Sequence, residues 1–361
     1  MARTTRRTRT AVAVATAVAL TLTACSSGDD TADGGDAPSD PGDATPDAPE
    51  LQSIEVAVSP SGLPVFVAGE EGLFEGIDIT VSQVGYDQSA ALFLAGDTPL
   101  GWIAPIEVAE FVSQGEDIRY FSTAGATNMI NGLVIRAEDA DKYTSVEDLV
   151  GLRVGNPGFG TGTWATFQVI MESQYDIVPE TDFDNITADS GALLGLLESG
   201  EIEAALLFSG QSAAAIALDQ FETIFSFTEA WQESTGHPMT VNGPVARADW
   251  LEENTAAAVA LVNGIDAGVQ WIKDHPEEFM EGGKYEEWVT SEGWLSSPET
   301  SAGIMELLDS GDWYLTSDSY NEGWVDAIYS LVEAGEGTLV EAVPAKDDVF
   351  FPPSLLAEAA S

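Results

Sequence analysis

From Ile54 onward, short apolar segments with strand-like alternation take turns with helical ones, and the joints between them are rich in Gly, Pro, Ser and Thr. Ile54, Val56 and Val58 form one face of a strand. Ser59-Pro60-Ser61-Gly62 turns the chain, and residues 63–68 open a helix with Pro64 in its first turn, where a missing N–H is tolerated. Further strands are expected at 77–81, 100–104 and 118–122, with helices at 90–94 and 106–112 between them. Such alternation constrains the chain to an α/β architecture with parallel or mixed sheets.

An internal echo divides this pattern. Asn131-Gly132-Leu133-Val134-Ile135-Arg136-Ala137-Glu138 is matched 111 residues later by Asn242-Gly243-Pro244-Val245-Ala246-Arg247-Ala248-Asp249. Between them lies another α/β set, with strands at 152–155, 183–187 and 204–208 and helices at 163–175 and 192–199. Either the echo is a chance likeness of two strand entries, or one strand leaves a first lobe and another returns to it. The second reading gives lobe 1 as residues 51–132 plus 246–361 and lobe 2 as 133–245. After Trp250 the pattern is helical, at 256–273 (ended by His275-Pro276), 301–308 and 320–333. Phe350-Phe351-Pro352-Pro353 is expected to pack the tail on the first lobe.

The first 24 residues have another character. Arg3, Arg6, Arg7 and Arg9 precede an apolar run at 11–22 that ends in Leu22-Thr23-Ala24-Cys25, the chain's single cysteine. A basic start, a short apolar run and small residues make an export signal. The run is shorter than the about 20 residues a membrane span needs. Leu-Thr-Ala-Cys resembles the lipobox of bacterial lipoproteins, in which the Cys becomes the lipidated first residue; the alternative is a plain secretory signal with an incidental Cys. Residues 25–50, rich in Asp, Gly, Pro, Ser, Thr and Ala, read as a disordered linker. An extracytoplasmic protein held by lipid on the outer face of the cell membrane is expected.

Beyond Cys25 stand eight basic residues against 61 acidic ones, a formal charge of −53. That balance excludes nucleic acid as a partner, which needs a basic footprint, and it favours a soluble monomer. The acids are spread along the whole chain, so they read as a solvated surface and not as a site.

Catalytic patterns are missing. His237 and His275, the only histidines, each sit beside Pro, and no zinc spacing, Gly-x-Ser-x-Gly or calcium-loop order occurs. No enzyme, metal or cofactor is expected. The informative loop is Gly155-Asn156-Pro157-Gly158-Phe159-Gly160-Thr161-Gly162-Thr163-Trp164, which follows a strand and opens a helix. Gly155 and Gly160 have the outer spacing of a P-loop, but Thr161-Gly162 replaces its Lys, which disfavours nucleotide hydrolysis. Free N–H groups at a helix start, with the Thr161 and Thr163 hydroxyls, suit an electron-rich ligand group; a tight turn that merely requires glycine is the plainer alternative. Four similar joints supply Ser61, Trp102, Thr127 with Asn128, and Phe208 with Ser209 and Gln211. All five follow strands, and in open α/β sheets ligands bind beyond the carboxyl ends of strands. These residues, with Gly160, Thr161, Gly162, Thr163 and Trp164, are the candidate ligand contacts; Trp102 and Trp164 are also candidates for the core.

Three segments carry a resemblance. Val67-Ala68-Gly69-Glu70-Glu71-Gly72-Leu73-Phe74-Glu75-Gly76-Ile77-Asp78-Ile79 is an opening of the form A-x-x-x-G-hydrophobic-F-x-x-x-G-hydrophobic. Ser145-Val146-Glu147-Asp148-Leu149-Val150-Gly151-Leu152-Arg153-Val154-Gly155 and Leu196-Leu197-Glu198-Ser199-Gly200-Glu201-Ile202-Glu203-Ala204-Ala205 follow in order, the last with Glu203 where Asp is usual. Together with Cys25, over about 54–353, the chain resembles the substrate-binding lipoproteins of ABC importers in the nitrate/taurine/sulfonate and thiamine-precursor group. The resemblance implies a two-lobed periplasmic-binding-protein fold with a mixed sheet in each lobe, two hinge strands and a ligand cleft between the lobes. It implies a nutrient as ligand and ABC permease subunits as partners. Nitrate or a sulfonate would profit from a cleft cation, yet none of the eight basic residues lies in the five joints. Rings, amides and hydroxyls suit a neutral or cationic heterocycle, pyrimidine-, thiamine- or flavin-like. An exported enzyme of the same fold and a surface adhesion protein are the rivals from other classes.

Overall fold

The computed structural model describes residues 52–359 apart from Ser59, residues 128–131, Asp189, Phe208, residues 291–293 and Asp312. The expected export signal, Cys25 and the linker therefore lie outside the described residues, as do Asn128 and Phe208. No helix among the described residues is long and apolar enough to cross a membrane.

Among the described residues ten strands form two sheets of five. The first contains β1 (Gln52–Val58), β2 (Ile77–Gln83), β3 (Leu100–Ile103), β4 (Ile118–Tyr120) and β10 (Gly243–Arg247), in the order β2-β1-β3-β10-β4. The second contains β5 (Gly132–Arg136), β6 (Arg153–Asn156), β7 (Asp184–Thr187), β8 (Ala204–Leu207) and β9 (Phe221–Ser226), in the order β7-β6-β8-β5-β9. In each sheet four strands run in the same direction, and the fourth in order, β10 or β5, is antiparallel to both neighbours. The protein is two-lobed, with a mixed sheet in each lobe. β3 and β8, Leu-Gly-Trp-Ile and Ala-Ala-Leu-Leu, are buried at every residue, as central strands covered on both faces require.

The sequence echo has a topological cause: β5 and β10 hold the same place in the two sheets. The junctions expected at 132–133 and 245–246 fall inside these strands, and the whole of β10 pairs in the first sheet. Their closing arginines also act alike. The Arg136 guanidinium donates to the Leu197 and Ile202 carbonyls at 2.9 and 3.0 Å, at the end of the helix Ser190–Glu198. Arg247 donates to the Leu94 carbonyl at 2.9 Å, at the end of α2 (Tyr86–Ala95). A cation at a helix C-terminus satisfies carbonyls with no intrahelical partner. Arg136→Met is expected to cost about 1–3 kcal/mol, a fall in Tm of several degrees in a melting experiment.

The other helices named here are α1 (Leu63–Glu70), α3 (Pro105–Ser113) and α4 (Gly162–Ile170). The single helix expected at 163–175 is α4 followed by a π-helical turn at Met171–Tyr175, closed by Asp176 at φ 55°. One apolar core runs through both lobes, joining Ile103 and Ile106 of the first to Val154, Trp164 and Phe167 of the second by way of Trp324 and Ile328. At the tail, Phe351 N–H donates to the Tyr120 carbonyl at 2.9 Å, which docks the chain end on β4.

Candidate functional site

All five glycine- and hydroxyl-bearing joints lie at carboxyl ends of strands, after β1, β3 and β4 in the first sheet and after β6 and β8 in the second. One side chain ties three of them. Asn242, just ahead of β10 and 2% exposed, accepts at Oδ1 from the Trp102 indole N–H (2.9 Å) and from Thr127 Oγ1 (3.3 Å). Its Nδ2 donates to Ser61 Oγ at 2.7 Å. Ser61, Trp102 and Thr127 therefore meet on a single amide. Asn242 itself entered the sequence reading only as part of the echo; its partners are 115, 140 and 181 residues away, a distance at which local pattern is silent.

Trp102 is 1% exposed, and its N–H is already donated. It is the floor of the site more than a wall. Gly125, at φ +66°, lets the chain pass over it: a Cβ there would meet Ile265 at 2.7 Å and the Trp102 ring at 3.3 Å.

The glycine-rich joint is braced from within. Asn156 is fully buried; its Oδ1 accepts from Gly158 N–H and Thr187 Oγ1, both at 3.0 Å, and its Nδ2 donates to Asn185 Oδ1 at 3.1 Å. Gly158 takes φ 121°, which only glycine adopts without strain. Thr161 is the N-cap of α4: its hydroxyl accepts from Trp164 N–H at 3.2 Å and donates to the Gly158 carbonyl at 3.0 Å. The hydroxyl read as a ligand contact is thus engaged in shaping the helix start. Thr163 and Trp164 are 6% and 2% exposed, and Phe159, half-exposed, stands edge-on to the Trp164 ring with centroids 4.8 Å apart. Gly160 has open space where a Cβ would go.

Gly162 brings the two sheets' loops together. A Cβ on it would lie 2.6 Å from Glu107 Oε2 and 2.8 Å from Ala104 Cβ, both at the start of α3. Glu107 is 7% exposed, and its Oε2 accepts the Ala104 N–H at 3.2 Å, capping α3 from its own third residue. Ser209 and Gln211, read as loop residues, belong instead to the first turn of the helix Ser209–Ile216. The joint after β8 is correspondingly short.

Each of the eight basic side chains beyond Cys25 has its own partner, and none belongs to the five joints. Arg119 pairs with Asp117 and Asp348, Arg153 with Glu203, Arg247 with Glu116, Lys284 with Glu71 and Lys346 with Asp326. Arg136 pairs with Asp139, Lys142 bonds the Tyr143 hydroxyl, and Lys273 the Ser310 carbonyl. Hydrogen bonds from Arg153 hold the Glu203 carboxyl below its ordinary range, and Lys284 and then Tyr285 do the same for Glu71. Among the described residues, no group of three or more His, Cys, Asp or Glu is placed to hold a metal ion.

The NMT1/THI5 like family model matches residues 59–279. No curated protein matches the chain in sequence. Among solved structures, the periplasmic aliphatic sulphonate binding protein SsuA from Escherichia coli is similar at TM-score 0.64 and 13% identity, over 84% of this chain and 93% of that one. The periplasmic nitrate-binding protein NrtA from Synechocystis is similar at 0.62 and 14%, over 87% and 89%. The ligand-binding component of an ABC-type import system from Staphylococcus aureus follows at 0.59 and 14%, over 86% and 99%. At these identities the likeness speaks for the two-lobed fold.

Proposed function

We propose that this chain, which belongs to the NMT1/THI5-like family, is an extracytoplasmic solute-binding protein that takes up a small nutrient between its lobes and delivers it to the permease of an ABC importer. Its address would be set by Cys25, as the lipidated first residue of the mature protein, with residues 25–50 as a tether. Binding and release, with no chemical step on the nutrient, is the whole of the cycle. The carboxyl-end joints of two mixed sheets, three of them tied through Asn242 and two of them brought together at Gly162, support this reading.

The observation that carries the choice of ligand is the placement of positive charge. All eight basic side chains have partners away from the joints, so an anion such as nitrate or a sulfonate would enter without a counter-charge. Burying an unpaired anion is costly. The joints present the half-exposed Phe159 ring and, next to Gly162, the Glu107 carboxylate. A neutral or cationic heterocycle of pyrimidine, thiamine or flavin type fits that set.

Calorimetry with thiamine, a hydroxymethylpyrimidine, riboflavin, taurine and nitrate decides the matter. One of the heterocycles is expected to bind and, at about 100 times its Kd, to stabilise by about 2.7 kcal/mol and raise Tm by several degrees. It should also reduce the radius of gyration in solution scattering, a compaction that an adhesion protein would not show. Tight binding of taurine or nitrate with silence from all three heterocycles would sink the ligand assignment.

A further inference from the structure

We infer that the seam between α3 and α4 holds a second binding site, made for a small organic cation with an alkylated nitrogen. A cavity of about 330 Å3 opens there, within the range of about 300–1,000 Å3 common to ligand pockets. Glu107, Glu110 and Phe111 line it from α3, and Phe159, Trp164 and Gln168 from the glycine-rich joint and α4. The Phe159 ring is 50% exposed and, with the Trp164 indole set edge-on to it, forms an aromatic corner at the mouth. Gln168 Nε2 and Thr338 Oγ1, both in the lining, donate to the two oxygens of Glu172, at 3.0 and 2.6 Å. No Lys or Arg lines the cavity, and every basic side chain beyond Cys25 has its partner elsewhere.

Carboxylates beside aromatic rings attract a cation that is weakly hydrated and can lie against a π-face, which describes a quaternary or tertiary ammonium. A bare metal ion fits less well, since no three carboxylate or imidazole groups converge among the described residues. The lining comes from both lobes, α3 from the first and α4 from the second, so an occupant bridges them and favours whichever arrangement brings the two helices together. The site adjoins the nutrient cleft: Gly160, Thr161 and Trp164 are shared with the candidate nutrient contacts, while Ser61, Trp102, Thr127 and Gln211 are not part of this lining.

The test is calorimetric titration of the full chain with choline, and with tetramethylammonium as the minimal probe, at physiological salt. Saturable one-to-one binding is expected, weakened about five- to tenfold by Phe159→Ala and by Glu110→Gln. Neither residue is a buried core residue, and unchanged melting curves would confirm that both variants fold. Absence of saturable binding at millimolar probe overturns the site. So does binding that neither variant weakens, which would be counter-ion uptake by an acidic surface. If choline binds while all three heterocycles fail, the nutrient assignment falls and this site stands.

Discussion

Asn242→Ala is expected to lower stability by about 3–5 kcal/mol, because it strips partners from two buried groups and a donor from a third at once. Trp102 Nε1, 1% exposed, and Thr127 Oγ1, on a residue 3% exposed, lose their acceptor; Ser61 Oγ loses the Nδ2 donor. In a folded chain of this length each kcal/mol moves Tm by about 1.5 °C, so a fall of about 5–8 °C is expected by calorimetry. The effect is one of pairing and not of volume, and a double-mutant cycle shows it. Trp102→Phe removes the indole N–H, so Asn242→Leu in that background leaves one buried group fewer in need of a partner, and its cost should be smaller than in the native background. Equal costs in both backgrounds would mean that Asn242 serves only as packing. Ligand affinity should fall with stability, since the same amide holds three of the joints in register.

Gly162→Ala is the second large effect, and Gly160→Ala is its control. At 162 a methyl group would lie 2.6 Å from the Glu107 carboxylate and 2.8 Å from Ala104 Cβ, so the starts of α3 and α4 must separate. Overpacking of this kind costs about 1–3 kcal/mol. Because the two helices belong to different lobes, the strain also disfavours their close approach, and the affinity for whatever the lobes enclose should drop about tenfold or more for a shift of 1.4 kcal/mol. At 160 the space is open, and the same substitution should change neither melting nor binding. Equal behaviour of the two variants would show that the contact between α3 and α4 is not made when ligand is bound.

The parts of this fold that were legible in sequence are those with local causes. β1, with Ile54, Val56 and Val58 facing one way, and α1, with Pro64 near its start, follow from period and capping alone. The echo at 131–138 and 242–249 corresponds to the shared place of β5 and β10 and the matched roles of Arg136 and Arg247. β9 went unseen, as did the helices Ser209–Ile216 and Phe227–Thr235. β9 is an edge strand whose residues are mostly half-exposed, and among the described residues its only strand partner is β5, about ninety residues earlier. The helix Ser209–Ile216 is built of Ser, Gly and Ala, which carry little periodic signal. At the candidate site, hydroxyl and ring chemistry singled out the joints but could not say which groups are spent internally. Thr161 caps a helix and Trp102 donates to Asn242, and both facts depend on where the backbone puts the partner.

The exchanged strand also sets an order of events. The second sheet draws on one unbroken stretch, Gly132 to Ser226, whereas in the first sheet β4 joins β3 only through β10, which arrives at Gly243. Contacts across such a separation form late, after the loop-closure entropy between them has been met. A chain emerging from its N-terminus would therefore complete its second lobe while the first still lacks its fourth strand. The first lobe would remain unfinished until about two thirds of the protein had been delivered.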